Sequence, residues 1–431
     1  MKNTKTIHVH LLVLSMLLAS CTKDQTPVKV ILTPGTDLVV TTNVQHAIDS
    51  CEQSGGGTVY FPKGKYVTGG LHMKSNVTLE FEEGALLEGS SNLEDYGEWK
   101  WTNAVIMGEG LKNIRIIGKG LLDGIDLKNP AGEAGFRGPH FIRFTNCDSI
   151  EIRDITITRS ANWAMNFRHC SNGAVVNVKV RGGHDALHTR WCNDFYVEGC
   201  DFRTGDDCFA GNDNQNFLIE NCKVNSSCNG FRFGGQNIVI RNVHIWGPGE
   251  FKHIIQNRYN TLSAFTHFSP KDENPKSVSG NWLLEDIVIE GVDNAFNYNF
   301  KDGLWQTGQP ATDMVFKNLT VRNVKKAFNI LGDSARQFSL VIRHAILDER
   351  DTTSFTQMHF EGREVEVPAF FNIRNFDHLV LDSVIFHVNG DTPKLYARDG
   401  NELEIKNRST NGGGSTSVNY DIANVERVAL K

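Results

Sequence analysis

Short segments of alternating apolar and polar residues recur from residue 113 onward, with asparagine, aspartate or glycine between them. Such alternation predicts β-strands that each bury one face. The apolar residues that close five successive coils are spaced by 23, 22, 22 and 21 positions: Ile157, Val180, Phe202, Val224 and Ile245. A period near 22 residues, made of short strands and tight corners, predicts an all-β solenoid, a single-stranded parallel β-helix whose coils stack about 4.8 Å apart.

An amphipathic segment precedes this repeat. Residues 42–51 place four apolar side chains on one side of a helix: Val44, Ala47, Ile48 and Cys51. An open solenoid end exposes core and unpaired strand edges, so we expect this short helix to cap the N-terminal end.

Cysteines follow the same period. Cys147, Cys170 and Cys192 recur at intervals of 23 and 22, and Cys200 and Cys222 are 22 apart. Cysteine is small and easily buried. We therefore predict unbridged cysteines stacked inside the coils, although an oxidising compartment would permit disulfides.

The N-terminus reads as an export signal. Lys2 and Lys5 precede an apolar run, residues 11–18, that is too short to span a bilayer. The run ends at Leu-Ala-Ser-Cys21, which resembles the lipobox of bacterial lipoproteins. This implies a signal peptide over residues 1–21, a lipid on Cys21, a tether over residues 22–34 and one catalytic β-helix over residues 35–431. The protein would be exported and lipid-anchored to the bacterial outer membrane, in the periplasm or at the cell surface. The alternative is an ordinary signal peptide with a chance cysteine.

Composition narrows the choice of partner. The 431 residues are 40% hydrophobic, with a formal net charge of −6. This balance argues against nucleic acid, which requires a basic face. An acidic polysaccharide stays possible, because the local charge of a groove matters more than the total.

Three aspartates are in near register with the repeat. Asp185 lies 21 residues before Asp206, which adjoins Asp207. Residues one coil apart become neighbours, so we expect these carboxylates to meet on one flank. Clustered carboxylates raise at least one pKa, and a protonated acid beside an ionised one is what glycosidic hydrolysis requires. Asp206 and Asp207 can both point outward only at a bend or bulge. A solvated acidic ridge is the alternative.

The neighbours of these aspartates suit a carbohydrate. Trp163 lies one coil before Asp185 and is a candidate sugar platform, or else a partly buried aromatic residue. Arg232 alternates with two phenylalanines, so it is expected to face outward, where it could bind a carboxylate. The candidate substrate-binding residues are Trp163, His184, Asn229, Arg232, Lys252, His253 and Arg258. Charge balance between acids and bases is the competing explanation for the basic members. No metal or cofactor is expected.

These residues resemble the polygalacturonases, glycoside hydrolase family twenty-eight. The likeness runs from about residue 35 to about residue 300 and includes residues 61–66, Phe-Pro-Lys-Gly-Lys-Tyr, and 118–124, Gly-Lys-Gly-Leu-Leu-Asp-Gly. The family's four site motifs are Asn-Thr-Asp, Gly-Asp-Asp, Gly-His-Gly and Arg-Ile-Lys. The resemblance implies a right-handed parallel β-helix and inverting hydrolysis, with Asp206 as general acid and with Asp185 and Asp207 activating water.

The chain departs from three of these motifs. Gly183 and His184 replace the first two residues of the first motif, and Asn229-Gly230 stands where His-Gly is expected. His253 takes the place of the arginine in the fourth motif, and Ile255 the place of the lysine. In galacturonan-cutting members that basic pair serves the substrate's carboxylate.

The resemblance thus implies a glycosidase that cleaves an α-linked bond in an acidic plant-type polysaccharide, galacturonan or rhamnogalacturonan. We expect the protein to be a monomer. Two other functions stay open. A polysaccharide lyase would use a base and often calcium. A catalytically inactive glycan-binding β-helix would bind without cleavage.

Overall fold

The computed structural model describes residues 28–35, 39–270, 279–300, 310–349, 369–388, 394–407 and 420–431. The expected signal peptide and the lipidated Cys21 lie outside these residues. Among the described residues, no helix combines the length and apolar character needed to cross a membrane.

One α-helix, α1 (Thr41–Gln53), and two short 3₁₀ helices (Leu93–Tyr96 and Glu133–Gly135) accompany the strands. The strands of the first half are β1 Val28–Ile31, β2 Gly57–Phe61, β3 Gly64–Thr68, β4 Leu71–His72, β5 Val77–Phe81, β6 Ala85–Gly89, β7 Ala104–Glu109, β8 Lys112–Gly118, β9 Leu121–Asp123, β10 His140–Thr145, β11 Asp148–Arg153, β12 Thr156–Thr158, β13 Met165–Arg168, β14 Ser171–Val176 and β15 Lys179–Arg181. Those of the second half are β16 Leu187–Arg190, β17 Asn193–Glu198, β18 Asp201–Thr204, β19 Phe209–Glu220, β20 Lys223–Ser226, β21 Asn229–Trp246, β22 Ser263–His267, β23 Gly280–Glu290, β24 Asn294–Asn299, β25 Asp313–Val324, β26 Lys326–Leu331, β27 Phe338–Glu349, β28 Phe371–His387, β29 Leu395–Lys406 and β30 Tyr420–Leu430.

The strands wind into a right-handed parallel β-helix, as predicted. The named strands pair in parallel with strands one coil away. The five closing apolar residues of the repeat are consecutive register partners, from Ile157 with Val180 to Val224 with Ile245. The sequence period therefore measures the length of a coil.

Inward-facing residues stack coil upon coil to make the core. The rings of Phe209 and Phe231 lie 4.4 Å apart, and those of Phe231 and Phe265 lie 4.8 Å apart. The cysteines predicted to stack are buried and unbridged. Each coil thus completes the apolar layer of the next, because a single coil cannot bury its own inward face.

The N-terminal end is closed by α1, which buries the four residues predicted for its apolar side. The predicted tether is wrong for part of its length. Residues 28–31 form β1, which pairs in parallel with β2. This pairing satisfies the backbone groups that the edge of the first coil would otherwise expose.

Candidate active site

The site lies at the start of four strands, β13, β16, β19 and β21, which belong to four neighbouring coils. Met165, Leu187, Phe209 and Phe231 are consecutive register partners. The residues two positions before them therefore form an ascending column: Trp163, Asp185, Asp207 and Asn229. The register partner of Asp185 is thus Asp207, 22 residues on, and the predicted pairing with Asp206 is wrong by one residue. The local coil length is 22 residues at this point.

Asp206 reaches the column because the chain bends between β18 and β19, at residues 205–206. The bend is tight: a Cβ on Gly205 would lie 2.4 Å from the Lys252 carbonyl oxygen. The bend turns the side chains of Asp206 and Asp207 to the same side, whereas a regular strand would send them to opposite sides. One oxygen from each of Asp185, Asp206 and Asp207 lies within 4.8 Å of the others. The predicted meeting of the three carboxylates is confirmed.

Asp207 is the most thoroughly fixed of the three. Asn229 donates two hydrogen bonds to its Oδ1, from the backbone N at 3.2 Å and from Nδ2 at 2.9 Å. Arg232 donates from Nε to Oδ2. Asn229 therefore orients a carboxylate, and Arg232 neutralises it.

Asp185 is buried beneath its neighbours, with 2% of its surface exposed. His188 Nδ1 lies 2.7 Å from Asp185 Oδ2, and Arg232 Nη2 lies 3.6 Å from the same oxygen. Arg232 thus bridges Asp207 and Asp185. It faces outward as predicted, but the contacts it makes here are with the aspartates and with the Phe268 ring, 4.3 Å away.

Asp206 is the most accessible carboxylate, with 16% of its side chain exposed. Arg137 Nη2 donates to its Oδ2 at 3.1 Å. His253 Nε2 lies 3.7 Å from its Oδ1. Although the third motif lacks its histidine, an imidazole from the segment after β21 lies beside Asp206.

The protonation of the trio is uneven. Burial and repulsion from Asp206 and Asp207 raise the pKa of Asp185 well above its ordinary value. Burial likewise raises the pKa of Asp207, against the attraction of Arg232. Burial alone would raise the pKa of Asp206 too, but His253 and Arg137 outweigh it and hold that pKa below its ordinary value. By these pKa directions, a proton shared by the trio favours Asp185 over Asp206.

An aromatic stack borders Asp185. The rings of Trp163 and His188 lie parallel with centroids 3.7 Å apart. His140 and Trp101 pack against Trp163 at 5.2 and 5.3 Å. One face of the Trp163 indole is thus covered by His188, and its role as a sugar platform stays a prediction.

The other predicted binding residues lie around Asp206. His184 is buried against Phe136, and burial lowers the pKa of His184 to about 3, so its imidazole is neutral. Lys252 is exposed. Arg258 donates to the backbone carbonyls of Ser227 and Asn260 and lies 3.5 Å from Cys228 Sγ. Arg258 therefore supports the wall of the site through backbone contacts.

Two groups of donor atoms in the described part of the chain have metal-like spacing. One is the aspartate trio, and the other is Asp206 with Cys228 and His253, again within 4.8 Å. Arg232 and Arg137 already neutralise the carboxylates. Burial also raises the pKa of the Cys228 thiol well above its ordinary value, which disfavours the thiolate that a metal ion needs. The donor set therefore suits catalysis by carboxyl groups better than a resident cation.

Sequence reasoning missed three residues of the site. His188 lies three positions after Asp185 and was detectable as a polar residue at an outward strand position. Cys228 lies 22 residues, one coil, after Asp206. Arg137 lies between β9 and β10, 69 residues before Asp206, which the repeat would place about three coils away; only the tertiary structure reveals its contact.

Comparison with known proteins agrees with this geometry. Residues 51–243 match the model of the glycosyl hydrolases family 28. A probable rhamnogalacturonase B of Aspergillus terreus is 25% identical over 203 residues, which are 44% of this chain and 34% of that protein. An exopolygalacturonase of Arabidopsis thaliana, clone GBGA483, is 26% identical over 258 residues, 55% of each protein. The chain thus spans between a third and about half of the length of these curated relatives.

The fold has a counterpart among solved structures. The hyperthermoactive exopolygalacturonase of Thermotoga maritima superposes with a TM-score of 0.61 at 17% identity, over 78% of this chain and 90% of that one. The matched segment contains all three aspartates and the strands that position them. Over residues 51–243 the chain is thus similar to the polygalacturonase-like glycosyl hydrolases of family 28.

Proposed function

We propose that this protein hydrolyses an α-linked glycosidic bond in an acidic pectic polysaccharide, of the galacturonan or rhamnogalacturonan type. The observation that carries the proposal is the aspartate trio, whose oxygens lie within 4.8 Å on the flank of a family 28 β-helix. The names of the relatives, a rhamnogalacturonase and an exopolygalacturonase, support both substrate types.

Accessibility favours Asp206 as the general acid. A proton donor must come within hydrogen-bond reach of the leaving oxygen. Asp206 is 16% exposed, whereas Asp185 and Asp207 are almost fully buried. The latter two would activate water, in the roles that the family resemblance implies for them.

The pKa directions favour a shared proton on Asp185 over one on Asp206. Three carboxyls this close titrate as one coupled unit. Catalysis then requires the proton to move to Asp206 when substrate binds. Substrate contacts with Arg137 or His253 would promote this transfer, because they would weaken the interaction of those two side chains with the Asp206 carboxylate. We assign the general-acid role to Asp206 because its carboxyl group is the accessible one, and not because of the direction of its pKa shift.

Stereochemistry tests the mechanism. Acid and base carboxyls lie about 6.5–9.5 Å apart in many inverting glycosidases and about 5–5.5 Å apart in retaining ones. The nearest oxygens here are closer than the inverting range. We nevertheless propose inversion, because both Asp185 and Asp207 adjoin Asp206 and can hold a water between them. Proton NMR of the first product anomer should show inversion, and a retained configuration would instead make one aspartate a nucleophile.

The decisive experiment is a screen of the purified protein against defined galacturonan and rhamnogalacturonan fragments, read by product mass. Hydrolysis adds the mass of water, whereas a lyase yields unsaturated products that absorb ultraviolet light. Asp206→Asn should lower kcat at least about a hundredfold, as general acid catalysis contributes about 10²–10⁴. The matched control is Asp194→Asn, at an exposed position of β17 with positive φ, which asparagine tolerates. Near-normal turnover by Asp206→Asn would remove that residue from the mechanism.

Binding of fragments without any cleavage would identify the inactive glycan-binding alternative. The substitutions in the third and fourth family motifs are the reason for testing this inactive alternative. Asn229 and His253 nevertheless both contact the aspartates in this structure, which supports an intact catalytic centre.

A further inference from the structure

The outward face that carries the catalytic residues continues far beyond them. Register pairs join one outward position on each successive coil into a single column: His188, Ala210, Arg232, Thr266, Asn297, Asn329, Asn372 and Tyr396. Four register steps separate Arg232 from Asn372. At about 4.8 Å per step this is about 19 Å along the solenoid.

Three asparagines of this column form a ladder of side-chain amides. Asn329 Nδ2 donates to Asn297 Oδ1 at 3.1 Å, and Asn372 Nδ2 donates to Asn329 Oδ1 at 3.1 Å. Each amide donates toward the preceding coil, so the last oxygen, Asn372 Oδ1, is left without a donor although it is buried. An orphaned buried acceptor is costly unless a ligand or water satisfies it.

An arginine lies next to this acceptor. Arg374, two residues after Asn372 on β28, faces the same side of the strand, with its guanidinium 5.0 Å from the centre of the Tyr396 ring. Its buried Nε has no hydrogen-bond partner. Arg398 also contacts that ring but is paired with Asp421. Within the described part of the chain no carboxylate pairs with Arg374.

A shallow concavity opens to solvent at this point, lined by Asn299, Asn329, Leu331, Asn372 and Arg374. It therefore presents an unpaired cation and an unpaired acceptor side by side. A uronic acid offers the complementary groups, since its carboxylate accepts from a guanidinium and its hydroxyls donate to an amide oxygen.

We propose that Asn329, Asn372 and Arg374 form a distal subsite that binds a uronate residue of the polysaccharide, several sugars away from the scissile bond. This inference rests on the proposed function, because it assumes that an acidic glycan lies along the outward column. It also supplies a carboxylate contact remote from the aspartates, where Arg232 is already engaged with Asp207.

The test measures binding in the Asp206→Asn background, so that turnover is not needed. The probes are an acidic pectic octamer, the same octamer with its carboxylates reduced to alcohols, and the corresponding dimer. Arg374→Ala should weaken octamer binding about tenfold, which is about 1.4 kcal/mol. It should leave the dimer unchanged and remove the preference for the acidic over the reduced octamer.

Arg322→Ala is the matched control, because Arg322 is 57% exposed and paired with Glu290 on another face. Arg374→Gln, which keeps hydrogen-bonding capacity without the charge, distinguishes a charge contact from a packing defect: it should also lose the acidic preference. The proposal is overturned if the octamer fails to bind the Asp206→Asn protein, or if Arg374→Ala binds it as tightly as the parent. Absence of hydrolysis in the parent would instead refute the proposed function.

Discussion

His188 shows how one residue outside the aspartate trio can govern its protonation. It stacks on Trp163, and its Nδ1 lies 2.7 Å from Asp185 Oδ2. Burial and repulsion from Arg232 lower the pKa of His188 well below its ordinary value, so the imidazole is neutral. Hydrogen bonds to charged groups are the stronger ones, and therefore this contact favours ionised Asp185 over its protonated form.

Replacing His188 with phenylalanine should keep the stack on Trp163 and remove the hydrogen bond. The pKa of Asp185, already raised, should rise further. In the proposed mechanism Asp185 must be ionised to activate water, so the acid-side limb of the pH profile of kcat/KM should shift to higher pH, with a loss of activity of about tenfold or more at the acid end.

Asparagine at position 188 retains a hydrogen-bonding group and should recover part of the shift. An unchanged pH profile in His188→Phe, with only a uniform loss of activity, would show that the residue acts through packing alone.

Residue-level sequence reasoning identified the aspartates and the residues that surround them, but not their contacts. Arg232 was predicted to face outward and does so, yet its guanidinium is committed to Asp207 and Asp185. Spacing along the chain gives a coil position to within one residue, which is why Asp206 was paired with Asp185 in place of Asp207. Side-chain partners depend on rotamers and on neighbours from distant coils, and spacing carries no information on either.

At the scale of elements, the bend between β18 and β19 is the feature on which the site depends. A regular strand would send Asp206 and Asp207 to opposite sides. Gly205 permits the bend because the Lys252 and Gly183 carbonyl oxygens would lie only 2.4 and 2.9 Å from a Cβ at that position. The segment after β21 therefore packs directly on the bend.

Gly205→Ala should displace the bend and with it the Asp206 carboxyl. A misplacement of about 1 Å can cost about a hundredfold in rate, so we expect a large loss of kcat. Because the bend lies on the outer flank, the thermal unfolding midpoint should change much less than it does for a core substitution. Kinetic assay and thermal unfolding of the same preparation check both expectations.

Gly110→Asn is the control for that substitution. Gly110 has positive φ and open space around its Cβ position, and asparagine tolerates this conformation. Full activity in Gly205→Ala would show that the bend does not need glycine.

At the scale of the whole molecule, the solenoid places the aspartate trio and the proposed distal subsite on one long face. The aspartates lie at the coils of β16 to β21, and the distal subsite lies about four coils farther along. A polymeric substrate can contact both only if it runs along the axis. Although the formal charge of the chain is −6, Arg374 supplies a positive charge on this face, where an acidic polymer would lie.

We also propose that the protein is exported and held at the membrane by a lipid on Cys21. Cys21→Ser should move the protein from the membrane fraction to the soluble fraction while leaving its specific activity unchanged, because the cysteine precedes the first strand. Fractionation with metabolic labelling by a fatty-acid analogue checks this prediction. Unaltered membrane association and labelling in the variant would refute the anchor.

The sequence by itself determined the β-helix, its coil length, the capping helix and the face on which the aspartates meet. These follow from periodicity, because each coil must repeat the same inward apolar positions to bury its face. Only the tertiary structure decided the rest: the register of Asp185 with Asp207, the arrival of Arg137 and His253 at Asp206, and the uneven protonation of the trio. Those depend on bends and long segments that interrupt the repeat, and on burial in three dimensions, which no period along the chain encodes.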